Sequence, residues 1–565
     1  MPSVELKAYC NIDDAFLVWR AGEIDGCIGF AIERQWLETK VPGRATNTPE
    51  YLLNRVGFKV DAVGGPNQCQ PSNVWPFQRY NWTDHEVSFG DKAQYRIVPM
   101  VGKPSQLKAA ENLASPWVDV DASEEPDHGK VSCFFNRPMA ASPWMARVAQ
   151  EEGIRTSTDL VNQIGQESSE ALREFCGGTL IYALRNLLEY AKENNEVHLY
   201  AALFELKDEE VTKHFCQLGP RAHIVLSNGS ASAKEADPNK EARTAVHAAG
   251  CNVVDRMTAS ADDRGNLGHN KFILVEEAGV PVRVWTGSTN LTPTGLFTQV
   301  NNAVLIESTD LATQYLAQWK RLHDAGSEVP SSLKKTNAAP DKGIAAPVQA
   351  QPWFTPTIKQ NDLKRLQELV EGAKEGILFL SFMPGPSGPV FDVLEERAAG
   401  RYVRGVVNQW VGGTKSKLLG ILVGGSKSDP MNLDAFEPNG IKEQFAFWAD
   451  EFMQGGKISV LIHSKVMCID PLGDHPVVVT GSHNFSTAAS ESNDENFLII
   501  EGDRQLAEAY AAHIISVYNH YRWRQYVGLK HAAGETPWSF LEDKPSWQKD
   551  RLKSPRQIEE WKFWM

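Results

Sequence analysis

The sequence predicts an α/β protein in which two α-β-α sandwich domains form a pseudo-twofold pair, preceded by a small β-sandwich. Three observations support this prediction. Short apolar runs separated by turn residues fill the first 135 residues, and an alternating order of helices and strands then appears twice. A motif of His, Lys, Gly-Ser and Asn also occurs once in each α/β region, which indicates an internal repeat.

Residues 1–135 are predicted to form the N-terminal β-sandwich domain. Their apolar runs, such as 16–19, 27–32 and 95–98, are bounded by Gly, Pro, Asn and Asp. This pattern is typical of short antiparallel strands joined by turns. No residue pattern here indicates catalysis, so we expect a role in packing or in access of substrate.

Two stretches of alternating helix and strand follow, and each predicts a sheet enclosed by helices. In the first, helices are expected at 168–194, near 208 and at 240–249, with strands at 197–204 and 222–226. In the second, helices are expected at 362–372 and 390–398, with strands at 377–382 and 403–407.

The resulting domain boundaries follow from changes in composition. Residues 136–327 and 357–530 are the two predicted α/β domains, and the Pro- and Ala-rich residues 328–356 are the predicted linker. The tail, residues 531–565, contains four tryptophans and is expected to pack back on the body of the protein.

Composition and charge narrow the possible functions. The chain has 565 residues and a net charge of −14, which disfavours a non-specific grip on long nucleic acid. No apolar run is long enough to span a bilayer, and the first residues lack a secretory pattern, so a cytoplasmic location is expected. The eight cysteines lack the spacing of a zinc site, and we expect no metal and no other cofactor.

The internal repeat is the strongest signal for function. His269 precedes Asn290 by 21 residues (290 − 269), and His463 precedes Asn484 by the same distance (484 − 463). The match continues without a gap to positions 302 and 496, both asparagine. Two gap-free copies of this length predict a duplicated functional motif.

The residue types suit the binding of a phosphodiester anion. Lys271 and Lys465 would supply positive charge, and Asn290 and Asn484 would supply amide donors to the non-bridging oxygens. Histidine and lysine two residues apart share one face of a strand. The Gly-Ser that follows is expected to let the backbone approach the phosphate closely.

These motifs resemble the duplicated H-x-K-x4-D and G-S-x-N signatures of the phospholipase D superfamily over about residues 136–530. The second copy is most similar to the bacterial nuclease and cardiolipin-synthase branches. The resemblance implies two phospholipase D-like domains and a phosphoric diester hydrolase that needs no cofactor. It also implies a supporting acid, which is Asp470 in the second copy and Glu276 in the first.

Two histidines match a reaction in two halves. One imidazole attacks phosphorus and forms a phosphohistidine, and the other protonates the leaving alcohol and then activates the incoming water or alcohol. From the habit of the family, we expect His269 to be the nucleophile and His463 the general acid and base.

The two copies differ 32 residues beyond each histidine, where the first copy has Asn301 and the second has Glu495. A carboxylate that binds the far nitrogen of a histidine raises its basicity, whereas an amide only orients it. The site is therefore expected to be asymmetric, although the sequence leaves open whether Glu495 backs His463 or crosses to His269. The predicted catalytic residues are His269, His463, Lys271, Lys465, Asn290, Asn484 and Glu495. The predicted substrate-binding or orienting residues are Ser288, Ser482, Asn301, Asp470 and Glu276.

Three functions remain open at this stage. The first is a phospholipase D that hydrolyses or exchanges a phospholipid head group, and the second is a nuclease or another nucleic-acid phosphodiesterase. The third is a non-catalytic scaffold that retains phosphate binding, which the intact His269 and His463 disfavour. A phospholipid is favoured over nucleic acid because of the acidic charge, and activity as a monomer is expected because one chain holds both copies.

Overall fold

The computed structural model describes residues 4–54, 56–61, 69–122, 131–137, 162–166, 168–230, 232, 234–258, 266–339, 349–384, 388–408, 433–436, 462–532 and 540–565. These residues fall into two compact units. The first unit combines residues 1–125 with residues 522–565, and the second unit contains residues 126–521.

The N-terminal part of the first unit is built from antiparallel strands, as the sequence predicts. Its sheets have the orders β1-β2-β7, β10-β8-β3-β4 with β9 beside β8, and β5-β6. Alternate residues of β8 are buried, among them Ala93, Tyr95 and Ile97, so one face of that strand packs on the core. The strands are β1 (Glu5–Cys10), β2 (Ala15–Arg20), β3 (Cys27–Glu38), β4 (Pro49–Tyr51), β5 (Leu53–Asn54), β6 (Gln70–Pro71), β7 (Asn81–Asp84), β8 (Lys92–Lys103), β9 (Gln106–Ala109) and β10 (Val118–Asp121).

The second unit contains two seven-stranded mixed sheets with the same strand order. The first is β11-β17-β16-β15-β12-β13-β14, and the second is β18-β24-β23-β22-β19-β20-β21. In each sheet three strands run parallel and the remaining pairs are antiparallel. The strands of the first sheet are β11 (Val131–Phe135), β12 (Val197–Leu203), β13 (Ala222–Ser227), β14 (Asn252–Arg256), β15 (Lys271–Glu277), β16 (Val280–Gly287) and β17 (Asn302–Glu307). Those of the second are β18 (Gln349–Phe354), β19 (Gly376–Ser381), β20 (Tyr402–Val407), β21 (Leu433–Phe436), β22 (Val466–Ile469), β23 (Val477–Gly481) and β24 (Asn496–Glu501).

The predicted helices form close to their expected bounds. The side chain of Asp208 accepts a hydrogen bond from the backbone nitrogen of Val211 and caps the helix that follows it. Within the described residues, no helix is long and apolar enough to cross a membrane. The helices are α1 (Glu170–Glu193), α2 (Glu209–Leu218), α3 (Lys240–Ala248), α4 (Thr309–Ala325), α5 (Ser331–Asn337), α6 (Asn361–Gly372), α7 (Pro389–Arg397), α8 (Thr487–Glu491), α9 (Arg504–Ala532), α10 (Trp547–Leu552) and α11 (Pro555–Trp564). Short turns of 3-10 helix cover Lys59–Asp61, Glu111–Leu113 and Gly219–Arg221, and a π-helical turn covers Thr294–Thr298.

Two asparagines join the two sheets of the second unit in a reciprocal way. Asn302 of the first copy donates from Nδ2 to Thr480 Oγ1 at 2.6 Å and to the hydroxyl of Tyr510 at 2.8 Å. Asn496 of the second copy donates from Nδ2 to Thr286 Oγ1 at 2.6 Å. All of these residues are buried, so the bonds specify how the copies pack as well as stabilising the packing.

The C-terminal helices α10 and α11 contribute to the core of the first unit. The indole nitrogen of Trp547 donates to the carbonyl of Cys27 at 3.1 Å, and that of Trp561 donates to the carbonyl of Trp19 at 2.7 Å. Trp564 is fully buried. The described part of the tail therefore packs on the N-terminal strands. Trp538, the fourth tryptophan of the predicted tail, lies outside the described residues.

The structure differs from the predicted boundaries at two strands. β11 was assigned to the N-terminal domain, yet it pairs antiparallel with β17 and belongs to the second unit. β18 lies inside the predicted linker, yet it pairs antiparallel with β24. Pro352 made this stretch look irregular, but β18 is an edge strand, where a missing N–H is tolerated. Residues 340–348 of the linker lie outside the described part of the chain.

Candidate active site

Each histidine of the repeat is held in place by the other copy. The backbone nitrogen of His269, just before β15, donates to the carbonyl of Asp494 at 2.8 Å. The backbone nitrogen of His463, just before β22, donates to the carbonyl of Val300 at 3.0 Å. Both side chains are almost fully buried. The two copies are thus in direct contact where their motifs begin.

The residues that back the histidines cross between the copies. Nδ1 of His269 lies 2.6 Å from Oε2 of Glu495, and Nδ1 of His463 lies 3.0 Å from Oδ1 of Asn301. The structure therefore resolves the question that the sequence left open, because Glu495 contacts His269 rather than His463. One histidine has a carboxylate behind it and the other has an amide, which is the predicted asymmetry.

The serines of the two Gly-Ser pairs orient these backing residues. Oγ of Ser482 donates to Oε2 of Glu495 at 2.9 Å, and Oγ of Ser288 donates to Oδ1 of Asn301 at 2.7 Å. All four side chains are fully buried. Of the two roles predicted for the serines, the geometry supports orientation of a neighbour over direct contact with substrate.

The glycines before these serines have a different purpose from the one expected. A Cβ on Gly287 would lie 2.3 Å from the carbonyl oxygen of Asn302, and one on Gly481 would lie 2.3 Å from that of Asn496. These oxygens belong to the adjacent strand of each sheet. Glycine is thus required for close packing of strands, and we find no support for the expectation that it admits a phosphate.

The lysines point back toward their own histidines. Nζ of Lys271 donates to the carbonyl of His269 at 2.9 Å, and Nζ of Lys465 donates to the carbonyl of His463 at 2.6 Å. Both side chains are buried, and the repeated spacing of two residues explains the repeated contact. Each copy therefore presents one imidazole and one ammonium group side by side.

Two phenylalanines complete this arrangement, and sequence reasoning missed both. The ring of Phe204 lies edge to face with His269 at 4.7 Å between centroids, and Nζ of the neighbouring lysine is 5.0 Å from the Phe204 centroid. Phe382 has the same relation to the histidine and the lysine of the second copy, at 4.8 Å in each case. Each phenylalanine directly follows the strand beside its motif, β12 or β19, so its position at the end of an apolar run was the available signal.

The predicted amide donors Asn290 and Asn484 have unequal surroundings. Nδ2 of Asn290 donates to Oε2 of Glu205 at 2.7 Å. In both asparagines the amide oxygen Oδ1 is buried and forms no hydrogen bond with the described residues. Glu205 was not predicted from the sequence, and its counterpart after Phe382 is Met383.

Burial and the nearby lysines lower the pKa of both histidines. Burial lowers the pKa of His269 to about 4; Glu495 opposes the shift, whereas Lys271 and Lys465 add to it. Burial, followed by the charges of the two lysines, holds the pKa of His463 well below its usual range. The mutual influence of groups from both copies shows that they share one electrostatic environment.

The lysines are also poised for an anionic partner. Burial lowers the pKa of Lys271 to about 7, although Glu495 and Glu205 oppose the shift, and burial together with Lys271 holds that of Lys465 well below its usual range. Burial alone would raise the pKa of Glu495, but the nearby His269 lowers it. A bound anion would stabilise the protonated lysines and histidines, so the arrangement favours binding of an anion. No group of three or more His, Cys, Asp or Glu side chains suited to a metal occurs among the described residues.

Two residues predicted to orient substrate lie elsewhere. The carboxylate of Asp470 accepts hydrogen bonds from three successive backbone nitrogens, those of Lys374, Glu375 and Gly376, at 2.7 to 2.9 Å. Asp470 and Glu276 lie toward the ends of β22 and β15 that are far from the histidines, because four residues of extended chain lie between each acid and its lysine. Both are therefore structural. Glu276 lies beside Tyr200 and contributes, after burial, to raising its pKa.

Fold and site together define a protein in which duplicated α/β domains share one site of two histidines and two lysines. The family described as "Cardiolipin synthase, PLD-like domain" matches residues 371–518. The matched residues include the second copy of the motif, from His463 to Glu495, so this part of the chain is similar to that family.

Curated relatives match only a short part of the chain. A protein named phospholipase D from Rickettsia felis is 48% identical over 54 residues, which are 10% of this chain and 24% of that relative. A phospholipase D from Rickettsia conorii is 46% identical over the same length. The match thus spans about a quarter of each curated relative.

Among solved structures, the likeness is distant. A phosphatidylserine synthase from Haemophilus influenzae has a TM-score of 0.38 at 12% identity, covering 67% of this chain and 89% of that one. A polyphosphate kinase from Porphyromonas gingivalis has a TM-score of 0.37 at 12% identity, covering 57% and 46%. Scores and identities this low leave activity and substrate open.

Proposed function

We propose that the protein is a metal-independent phosphodiesterase that acts through a phosphohistidine on a phospholipid, releasing or exchanging the head group. The observation that carries this proposal is the crossed backing of the histidines, Glu495 behind His269 and Asn301 behind His463. It gives two imidazoles of unequal character beside two buried lysine amino groups, those of Lys271 and Lys465, whose protonated forms a bound anion would stabilise.

In the first half of the proposed reaction, Nε2 of His269 attacks phosphorus while the bond from phosphorus to the leaving alcohol breaks. His463 transfers its Nε2 proton to the alcohol oxygen. The phosphorylated imidazole of His269 is cationic when Nδ1 keeps its proton, and Glu495 at 2.6 Å stabilises that charge. The amide of Asn301 does not stabilise an imidazolium to the same degree, which makes His463 the better proton donor.

In the second half, His463 takes a proton from water or from an acceptor alcohol. The oxygen attacks phosphorus, the phosphorus–nitrogen bond breaks, and His269 is regenerated with its lone pair. The two lysines stabilise the negative charge on the non-bridging oxygens through both halves. Each histidine returns to its starting protonation state, because the water or acceptor alcohol supplies both the attacking oxygen and the proton that His463 regains.

The preference for phospholipid over nucleic acid is supported by the family description, by the names of the curated relatives and by charge. The net charge of −14 disfavours binding of a long polyanion. A nuclease and a non-catalytic phosphate-binding scaffold are the alternatives, and the same set of assays tests them.

The first test is turnover of bis(p-nitrophenyl) phosphate in the presence of EDTA, followed by a comparison of phosphatidylcholine vesicles with single-stranded DNA. We expect turnover in EDTA and faster release of head group than of nucleotides. Cleavage of DNA alone would support the nuclease, and binding of phosphate without any turnover would support the scaffold.

The second test assigns the roles of nucleophile and general acid to the two histidines. Labelled phosphoenzyme is trapped in the variants His269→Asn and His463→Asn. We expect label to persist in His463→Asn, because the nucleophile is intact and its release is slowed, and to be absent from His269→Asn. The opposite distribution would reverse the two roles.

A further inference from the structure

A buried ion pair links the two copies next to the candidate active site. Nε of Arg256, the last residue of β14, lies 2.5 Å from Oδ2 of Asp494, and Nη2 lies 3.1 Å from Oδ1. Both side chains are at most 1% exposed. Asp494 directly precedes Glu495, which contacts His269. The guanidinium of Arg256 therefore binds the neighbour of the residue that backs His269.

The segment that contains Asp494 runs alongside the segment that ends at His269. The backbone nitrogen of Asp494 donates to the carbonyl of Leu267 at 2.8 Å, and the nitrogen of Leu267 donates to Oδ1 of Asn493 at 3.1 Å. With the bond from His269 to the carbonyl of Asp494, three hydrogen bonds fix the register of the segments. The side chains of Glu495 and His269 meet at the end of this paired stretch.

The corresponding position in the other half of the site carries no charge. Asp494 lies 31 residues beyond His463, and the residue 31 beyond His269 is Val300 (494 − 463 and 300 − 269). Val300 accepts the same kind of backbone bond, from the nitrogen of His463 at 3.0 Å. The backbone contact therefore forms without an ion pair, and the ion pair occurs only where the backing residue is a carboxylate.

We propose that Arg256 is a positioning residue for the reaction. By binding Asp494, it keeps Glu495 within hydrogen-bond distance of Nδ1 of His269. This inference rests on the proposed function, in which His269 is the group that attacks phosphorus. The guanidinium is itself anchored, because Nη1 donates to the carbonyls of Gly326 and Glu328. It also compensates Asp494, because burial and the nearby charge of Glu495 raise the pKa of Asp494 and the guanidinium opposes that shift.

The test compares Arg256→Met, Arg256→Lys and a double variant, Arg256→Leu with Asp494→Val, which copies the uncharged half of the site. Phosphodiester turnover and phosphoenzyme trapping are followed as a function of pH. For Arg256→Met we expect kcat to fall roughly 10- to 100-fold with KM within about twofold, because small misplacement of a reacting group is costly. The acidic limb of the profile should move to lower pH, since a loosened Glu495 raises the pKa of His269 less.

The double variant separates positioning from stability. Replacing a buried ion pair with apolar residues is tolerated by many folds, so its melting temperature should stay near that of the wild type. We expect its kcat to stay low, and Arg256→Lys to recover part of the activity. A double variant with wild-type kcat and wild-type pH profile would overturn the proposal.

Arg243→Met is the matched control. Arg243 forms ion pairs with Asp237 and Asp255 beside the same strand, yet the structure shows no contact between it and Asp494. It should lose stability without a change in the pH profile. If the wild-type protein shows no turnover, the proposed function fails, whereas active wild type with unaltered Arg256 variants contradicts only the positioning role.

Discussion

At the scale of single residues, the molecule distinguishes its two histidines by what lies behind them. The carboxylate of Glu495 is fully buried and shares Oε2 between His269 and Ser482. Asn301 occupies the same place behind His463 without a charge. Because the lysines and burial lower the pKa of both imidazoles, Glu495 is the group that separates their basicities.

Replacing Glu495 with glutamine should remove that separation. The carboxylate raises the pKa of His269, so its loss lowers the pKa further below about 4 and moves the acidic limb of kcat/KM to lower pH. We expect kcat to fall about 10²-fold or more, because the proposed phosphohistidine would lose its counter-charge. The measurement is the pH dependence of kcat and kcat/KM, over a range that extends ~2 units below and above the pKa of about 4 of His269.

Ser482→Ala is the graded control for this substitution. It removes the 2.9 Å hydrogen bond to Glu495 and leaves the charge in place, so the pH limb should move much less than in Glu495→Gln. Equal profiles for the two variants would show that orientation, and not charge, is what His269 receives from Glu495.

Much of the residue-level site could be predicted because both copies carry its chemistry in the same spacing. His269 and Lys271 share one face of a strand by geometry alone. The contact of Glu495 with His269 could not be predicted, because it depends on how two separate sheets meet. Phe204 and Phe382 could not be distinguished from core residues, because each is the last residue of an apolar run. The contact between Glu205 and Asn290 could not be predicted either, because no repeated spacing relates the two positions.

At the scale of elements, the acid of each motif secures a strand end instead of the site. Asp470 follows β22 and binds three backbone nitrogens at the start of β19, so it joins neighbouring strands where their hydrogen-bond ladder ends. Its φ of +46° lies in the left-handed region, which asparagine and aspartate tolerate better than most residues.

Asp470→Ala should therefore reduce stability without changing chemistry. Losing a charged acceptor for three backbone donors is expected to lower the free energy of unfolding by about 2 kcal/mol. Chemical denaturation gives the stability, and kcat per folded molecule gives the activity. A fall in kcat without loss of stability would contradict this structural role and would indicate that Asp470 acts in the active site.

Glu276→Ala provides the comparison from the first copy. Glu276 occupies the matching sequence position, but the structure places it beside Tyr200, so we expect a smaller loss of stability. The sequence pattern predicted β12, β13, β19 and β20 because each is a short apolar run, and it predicted α1, α3, α6 and α7 because their apolar residues recur with helical spacing. The pattern did not predict β18, because Pro352 and the Pro- and Ala-rich composition around it indicated a linker. Only the pairing with β24 shows that this stretch is an edge strand.

At the scale of the whole molecule, the first unit is built from both ends of the chain. The C-terminal tryptophans Trp547 and Trp564 are buried with the N-terminal strands, and the hydroxyl of Tyr9 donates to the carbonyl of Trp564 at 2.6 Å. The sequence indicated that the tail packs somewhere, since exposed tryptophans are unfavourable. It could not indicate where, because this packing joins residues more than 500 positions apart.

Trp564→Ala is expected to destabilise the first unit by about 3–5 kcal/mol, the usual cost of a large cavity in a core. Hydrogen exchange should then increase in β1 and β2, while the strands of the second unit keep their protection. Ile558→Ala on the same helix is the control, because Ile558 is 51% exposed and leaves no cavity. Equal exchange in the two variants would contradict a core role for Trp564.

The crossed backing of the histidines has a consequence for heritable variation. The coupled positions are 269 with 495 and 463 with 301, and each pair draws one residue from each repeat. A substitution at position 495 removes the contact of His269, which lies 226 residues earlier in the chain. His463 and Lys465, in the same repeat as position 495, are unchanged. A substitution of the backing residue in either repeat therefore changes the surroundings of the histidine in the other repeat.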